Sequence, residues 1–329
     1  MTTYIFRRVL LLIPTLFGIT LLTFLLIRYS PGNAALLKGG GGESGGKAMT
    51  AEVREQIIKL YDLDKPWYLA YRDWVGRSVR LDLGDSFVDH RPVARKIEER
   101  LPLTMSLAGS ALALSYLIAI PLGIVAALRR GQPLDRAISF VVFVLYSIPT
   151  FAAALLLILL VAGGDYLNLL PMYGANSINA SDMGPFAWLW DRILHMILPV
   201  VCLTYASLAS ISRYSRVSML EALGQDFVRT ARAKGLPERL VIFRHALRNA
   251  LIPIITIFAL EMPALIGGAV ILESIFSLPG MGQLMFQSID TRDTPVIMGI
   301  TVLAAIVTLL SYLAADILYV VVDPRISYE

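Results

Sequence analysis

Six stretches of this chain are each long and apolar enough to cross a lipid bilayer: residues 9–27, 103–128, 137–164, 193–212, 250–272 and 296–315. A helix rises ~1.5 Å per residue, so about 20 apolar residues cover a ~30 Å hydrocarbon core. In that solvent only a helix or a closed barrel satisfies its backbone polar groups, and runs of this length read as helices. Four of the six carry no charge, the fourth holds only His195, and the fifth only Glu261. The expected fold class is therefore all-α, a polytopic membrane protein with six transmembrane helices. Composition agrees: 56% of residues are hydrophobic and 16% charged, against roughly 45–50% and about 25% in soluble domains. That excludes a disordered chain.

Residues 9–27 follow Arg7 and Arg8 and precede Ala34-Ala35, which imitates a secretion signal. The apolar run exceeds the ~7–15 residues of a cleavable core, so it reads as a retained helix. Orientation follows from Lys and Arg in the short loops. Arg7 and Arg8, then Arg129, Arg130 and Arg136, then eight basic residues between Arg213 and Arg248, then Arg325 fall on one side. The alternate loops offer only Arg192 and Arg292 beside five aspartates. Both termini are expected in the cytoplasm. Residues 28–100 carry 13 basic and 11 acidic residues on the outer side, which a loop longer than about 60 residues tolerates.

Within that loop, residues 38–50 are glycine-rich and read as a tether. Gly41, Gly46 and Lys47 match the start of a phosphate-binding loop, but Ala48 stands where a magnesium-binding Ser or Thr belongs. No strand signal precedes it, and the outer side holds no ATP. Thr50 can cap a helix to about Tyr61, and Pro66 opens another over roughly 67–80, read as a solvated helical cap with packing onto the membrane surface or a partner as the alternative. One cysteine, Cys202, excludes an intramolecular disulfide and a multi-cysteine cluster. His90, His195 and His245 lack ligand spacing, so no metal site is expected. No nucleophile elbow or dinucleotide fingerprint is present, and no catalytic residue is assigned.

The cytoplasmic segment 215–249 is the most informative. Ser218 and Glu221 have capping-box spacing, although the fourth span can simply continue through them. Residues 221–234 read as a helix, Gly235 with Pro237 reads as its stop, and Pro237 as the first position of the next helix. Ala231, Ala233 and Gly235 keep the corner small, while Arg229, Arg232 and Lys234 surround it with positive charge. That shape suits insertion into a partner's groove; a basic amphipathic helix resting on anionic lipid is the equal alternative.

These residues carry a resemblance. Arg229-Thr230-Ala231-Arg232-Ala233-Lys234-Gly235 is similar to the EAA loop of ABC importer permeases, in the form found in the dipeptide/oligopeptide branch. FRRVLLLIPTLFGITLLTF at 6–24, SPG at 30–32, LDKPWYLAY at 63–71, DLGDSF at 82–87 and RLPLTMSLA at 100–108 continue it. RHALRNALIP at 244–253, ESIFSLPGMGQL at 273–284 and DILYVVVDPRI at 316–326 extend it over nearly the whole chain. The resemblance implies a type I importer permease in a bacterial inner membrane. Residues 1–100 would form the first span and an extracytoplasmic loop with small helices, and residues 101–329 a five-helix core. It also implies four kinds of partner: a second, homologous permease, two cytoplasmic ABC ATPases, an extracytoplasmic peptide-binding protein, and membrane lipid. ATP and magnesium would sit on the ATPases, with no cofactor on this chain and no nucleic acid. The segment 229–235 would couple to the ATPases. Arg229 stands where the wider superfamily has Glu, and Arg248 where its motif ends in Pro.

Charges at membrane depth are costly and tend to face a pathway or a partner. Glu261 is thus a candidate for the substrate pathway, with hydrogen bonding inside the bundle or pairing to the sister subunit as alternatives. Glu273 and Asp316, nearer the span ends, read as packing and interface groups. Leu278, Pro279, Gly280 and Gly282 form a structure-breaking loop after the fifth span, a candidate outer gate or docking rim. Pro14, Pro121, Pro149, Pro199, Pro253 and Pro263 can bend their helices, as prolines in membrane helices commonly do. The rival reading is a self-sufficient proton-coupled transporter using Glu261. It predicts internal repeats, which are absent, and leaves 215–249 without a purpose.

Overall fold

A computed structural model of the chain describes residues 2–29, 65–163 and 166–322. The tether, the near-miss phosphate loop, the 50–61 helix, the SPG motif and Arg325 lie outside the described residues. Every described element is helical apart from one isolated bridge, Asp85 with Pro92. The chain divides into two compact units.

One unit comprises Arg7–Glu98 and Gln287–Ile306. Helix α1 (Thr2–Tyr29) supplies the first span, and α2 (Trp67–Ser78) follows Pro66. Of the expected solvated cap, α2, only Ala70 and Tyr71 are buried. Its Tyr71 is buried against α1, where the hydroxyl is 2.8 Å from Thr20 Oγ1 and 3.1 Å from the Phe17 carbonyl. Phe17 and Phe24 flank the ring, and the Arg28 guanidinium donates to the Lys65 carbonyl. The Tyr71 hydroxyl supplies the docking contact. Beyond α2, the DLGDSF segment turns on Gly84, whose φ of +78° suits glycine and whose N–H donates to Asp82. Ser86 then donates to Asp293, which also accepts the Phe87 N–H at 3.0 Å. Lys96 reaches Asp89 at 3.0 Å and Asp293 at 3.7 Å. The family-like motif thus serves a buried polar knot.

The other unit comprises Met1–Phe6, Glu99–Phe286 and Val307–Glu329. Its helices are α3 (Val93–Leu128), α4 (Pro133–Ser147), α5 (Thr150–Leu157, continued by a π turn Ile158–Ala162), α6 (Pro185–Gly224), α7 (Asp226–Ala233) and α8 (Glu238–Leu240). A π turn Val241–Ala246 leads to α9 (Leu247–Glu261), α10 (Ala264–Gly267), α11 (Val270–Ile275) and α12 (Met281–Asp290); α13 (Thr294–Val322) belongs to the first unit up to Ile306 and to this one from Val307. Among the described residues of both units, five helical runs, α1 included, are long and apolar enough to span, and the bent pair α4–α5 makes a sixth if counted as one span.

Two spans differ from their expected form. Residues 137–164 are not one helix: α4 and α5 meet at 90°. Pro149 disfavours helical backbone at Ile148, which is extended at φ −89°, ψ 119°. The fifth span is interrupted after Glu261 and again at Gly268, whose φ of +72° no helix accommodates. Pro14, Pro121, Pro199 and Pro253 sit inside continuous helices.

Close helix approach holds this unit together. At Gly123 of α3 a Cβ would lie 2.5 Å from Ser215 Cβ and 2.6 Å from the Ser212 carbonyl of α6. Only glycine permits that approach. The foot of α4 is fixed to α6 by a bidentate pair, Arg216 to Asp135 at 2.8 and 2.9 Å, with Asp135 buried. Leu107, Ala154, Cys202, Phe276 and Leu278 belong to one apolar cluster, and Met219, Ala222, Val228, Ala231, Val241, Ala246 and Ala250 to another.

Candidate functional site

The basic cytoplasmic segment forms its own short helix. The expected helix 221–234 is corrected: Glu221–Gly224 belong to α6, which runs through Ser218, so no capping box forms. The break is Gln225, extended at φ −76°, ψ 153°, and α7 starts at Asp226. The predicted stop is present in detail. Gly235 takes φ +72°, its N–H bonds the Arg232 carbonyl at 2.9 Å, and the Leu236 N–H bonds the Ala231 carbonyl at 3.3 Å. These two bonds make a Schellman C-cap, which needs the left-handed backbone that glycine adopts without Cβ strain. Pro237 is the residue before α8 rather than its first residue.

The packing of α7 divides its candidate residues. Val228 and Ala231, three apart, are buried against Met219, Ala222, Val241, Ala246 and Ala250. Ala231 is therefore small on the chain's own account. Arg229, Thr230, Arg232, Ala233, Lys234 and Gly235 are exposed. A Cβ at Gly235 would meet nothing within 4 Å. Arg232 pairs with Glu238 at 2.6 Å, tying α7 to α8, and Arg229 pairs with Asp226 at 3.4 Å. The result is a helix welded to α6 and the 241–250 helix by one face, with a small, basic corner open on the other.

The candidate rim loop is a buried knot around Glu273, which is 1% exposed. Its carboxylate accepts the Ala269 N–H at 3.1 Å, the Gln283 N–H at 2.8 Å and the Thr104 hydroxyl at 3.3 Å. Thr104 Oγ1 in turn accepts the Met281 N–H at 2.8 Å. Glycines wall the carboxylate. A Cβ at Gly280 would lie 2.5 Å from its Cδ, one at Gly268 2.6 Å from Oε1, and one at Gly282 3.0 Å from Oε2. Leu278 and Gly280 are buried with it, while Pro279 is exposed. Sequence reading marked Gly280 and Gly282 as loop-breakers and Glu273 as a packing group; that they form one site with Gly268 follows only from the fold. Nearby, the Asp191 carboxylate accepts from Asn176, the Ser177 backbone and the Ser177 hydroxyl at 3.1, 2.8 and 2.5 Å, holding the segment before α6.

Glu261 ends α9 and is half-buried. It lies beside Tyr116 of α3, whose ring packs edge-on to Phe258 at 5.4 Å. The structure does not bring Glu261 together with the knot or with α7 by any hydrogen bond. Among the described residues no group of three or more His, Cys, Asp or Glu side chains is placed to hold a metal.

Comparison with known proteins matches this arrangement to one family along nearly its whole length. Residues 119–328 match the family described as binding-protein-dependent transport system inner membrane component. Residues 1–108 match the N-terminal region of such membrane components. The oligopeptide transport system permease protein AppB of Bacillus subtilis is 42% identical over 329 residues, covering 100% of both chains. The dipeptide transport system permease protein DppB of Escherichia coli K12 is 36% identical, and the di/tripeptide permease DppB of Pseudomonas aeruginosa 38%, each covering 100% of both chains. Among solved structures, an inward-facing MetNI methionine ABC transporter superimposes with a TM-score of 0.53 at 18% identity, covering 70% of this chain and 97% of that one. That likeness concerns the fold.

Proposed function

This chain belongs to the family of binding-protein-dependent transport system inner membrane components, and on that premise we propose that it is a peptide-importing permease subunit. It forms half of a translocation pathway with a second, homologous permease. Two ABC ATPases dock on its cytoplasmic side, and an extracytoplasmic protein delivers the peptide. The relatives named for oligopeptide, dipeptide and di/tripeptide transport support that substrate class. The basic loops support a bacterial inner membrane topology with both termini in the cytoplasm. ATP and magnesium belong to the partner subunits; this chain moves rather than hydrolyses.

The observation that carries the coupling role is the division of α7. Its Val228–Ala231 face is locked into the chain, while Arg229, Thr230, Arg232, Ala233, Lys234 and Gly235 stand open. A partner that grips the open face and shifts cannot move α7 alone. Val228 and Ala231 carry the displacement into α6 through Met219 and Ala222, and into the fifth span through Val241, Ala246 and Ala250. Packed interiors transmit such shifts because they resist compression. The helices then rock as bodies between outward and inward access. Leu278, Pro279, Gly280 and Gly282 serve as a rigid outer rim, with Pro279 its exposed point.

The test is a mild-detergent pull-down of the chain with mass spectrometry of its companions. Wild-type chain is expected to retain a second permease and ATPases. Ala233→Trp, at an exposed position, is expected to keep the permease and lose the ATPases. ATPases retained by Ala233→Trp would contradict the coupling role. A chain isolated alone, moving peptide under a proton gradient, would contradict the importer.

A further inference from the structure

The third span breaks where hydrocarbon would surround it most deeply. Residues 146–152 lie at the centre of the apolar run 137–164, and Tyr205 lies near the centre of the run 193–212. Two contacts between α4 and α6 fix that level. Arg216 holds Asp135 at the foot of α4, and the Tyr205 hydroxyl donates to the Ile148 carbonyl at 3.1 Å. Tyr205 and Arg216 are eleven residues apart on α6. The break therefore stands about 16 Å from the foot, near the middle of a ~30 Å core. There the backbone is left open. The Ile148 N–H bonds the Leu145 carbonyl, and the Ala153 N–H bonds the Pro149 carbonyl. Among the described residues the N–H groups of Thr150, Phe151 and Ala152, and the carbonyls of Tyr146 and Ser147, have no partner. Ser147, Ile148, Pro149 and Phe151 are exposed, and Tyr146 is 67% exposed. The hydroxyl side chains of this run gather at the same place: beyond Ser139 they are Tyr146, Ser147 and Thr150.

Lipid cannot cover such a place. Unpaired main-chain groups in hydrocarbon are strongly penalised, and irregular backbone at membrane depth persists only where protein buries it or water reaches it. This break is open on its own chain, and its hydroxyls suit water. The same groups suit one class of solute. A peptide main chain carries a donor and an acceptor at each residue, the complement of the open carbonyls that end α4 and the open N–H groups that begin α5. Two residues, Ile148 and Pro149, separate the acceptors from the donors, so one short peptide can meet both. Such pairing ignores side chains, and Tyr146, Ser147, Thr150 and Tyr205 bring no charge that would favour one sign of substrate. We propose that the break of the third span opens on the water-filled translocation pathway and hydrogen-bonds the main chain of the passing peptide. The proposal rests on the peptide reading above.

The experiment uses the whole transporter in lipid nanodiscs, with cysteine substitutions read by mass spectrometry of each modified peptide. Wild type gives the background of the buried Cys202. Ser147→Cys and Thr150→Cys are small changes at the break, and Ile13→Cys stands at an exposed position of the first span. A water-soluble trimethylammonium methanethiosulfonate is expected to modify Ser147→Cys and Thr150→Cys and to spare Ile13→Cys. Modification of the break only by lipophilic N-cyclohexylmaleimide would place it against lipid, and modification by neither reagent would place it under the second permease; each overturns the proposal. Ala-Ala-Ala at ten times its dissociation constant is expected to slow modification of Ser147→Cys about tenfold. Its N-methylated analogue, which lacks the main-chain donors, is expected at the same concentration to leave the rate nearly unchanged. No slowing by Ala-Ala-Ala, or equal slowing by both, would overturn the main-chain contact. ATP-driven uptake of Ala-Ala-Ala by the wild-type complex is measured in parallel. Uptake with a break that no water-soluble reagent reaches refutes this inference alone, whereas a modified break with no uptake of any peptide refutes the peptide reading.

Discussion

Two glutamates stand twelve residues apart in one membrane run, and the chain treats them oppositely. Glu273 is 1% exposed, accepts three hydrogen bonds and is walled by glycines. Glu261 is half-buried and has the Tyr116 hydroxyl as its one neighbouring donor among the described residues. A satisfied buried carboxylate rigidifies what surrounds it, because removing any partner leaves a charge or a donor stranded. A carboxylate with one neighbouring hydroxyl holds much less in place. The difference separates a tightly held region from a looser one, and substitutions at the two sites are expected to fail in different ways.

The largest effect is expected at the walls of the knot. Gly268→Val puts a branched side chain at φ +72° with its Cβ 2.3 Å from the Gly282 nitrogen. Left-handed backbone costs about 1–2 kcal/mol for a non-glycine residue, and overpacking about 1–3 kcal/mol or more. Loss of the monodisperse folded peak in detergent size-exclusion chromatography is expected; a normal profile would mean that the knot is looser than described. Next, Glu273→Ala strands three donors and is expected to cost on the order of 3–5 kcal/mol, read as a large fall in thermal stability in detergent.

Glu261→Gln sharpens the comparison from the other side. Stability is expected to change by less than about 0.5 kcal/mol, the range of substitutions that break no network, while import slows. A melting shift as large as that of Glu273→Ala would erase the distinction. The smallest effect is expected at Asp89, on the rim of the Ser86–Asp293 knot. Burial works against its ionisation, but the Ser86 hydroxyl, Lys96 and the Arg91 N–H outweigh it and hold its pKa at about 2. Because the folded value lies below the unfolded one, its contribution is full above about pH 4. It is lost as pH falls toward about 2. Asp89→Asn is expected to remove that contribution, lowering stability slightly above about pH 4 and flattening the acid limb measured between those values.

The spans and the α7 stop were legible because their causes are local. Apolar runs announce themselves, and Gly235 followed by Pro237 encodes a helix end within three residues. The angle at Pro149 was not: a proline marks a possible bend, and neighbours decide between a kink and the 90° break. Glu273 was visible as a charge, but its Thr104 donor lies 169 residues away. Arg216 finds Asp135 across 81 residues. Ala231 and Ala233 look equivalent in sequence. Only the packing of α7 turns the first inward and leaves the second exposed.

The central claim is that motion imposed on the open face of α7 drives peptide through this subunit. The most direct test is peptide uptake into proteoliposomes holding the complete transporter, wild type against Ala233→Trp, with the ATPases and binding protein supplied in excess. The account predicts uptake that requires ATP and is lost in Ala233→Trp at unchanged thermal stability of the membrane subunits. Uptake that proceeds without ATP, or an Ala233→Trp transporter as active as wild type, would contradict it.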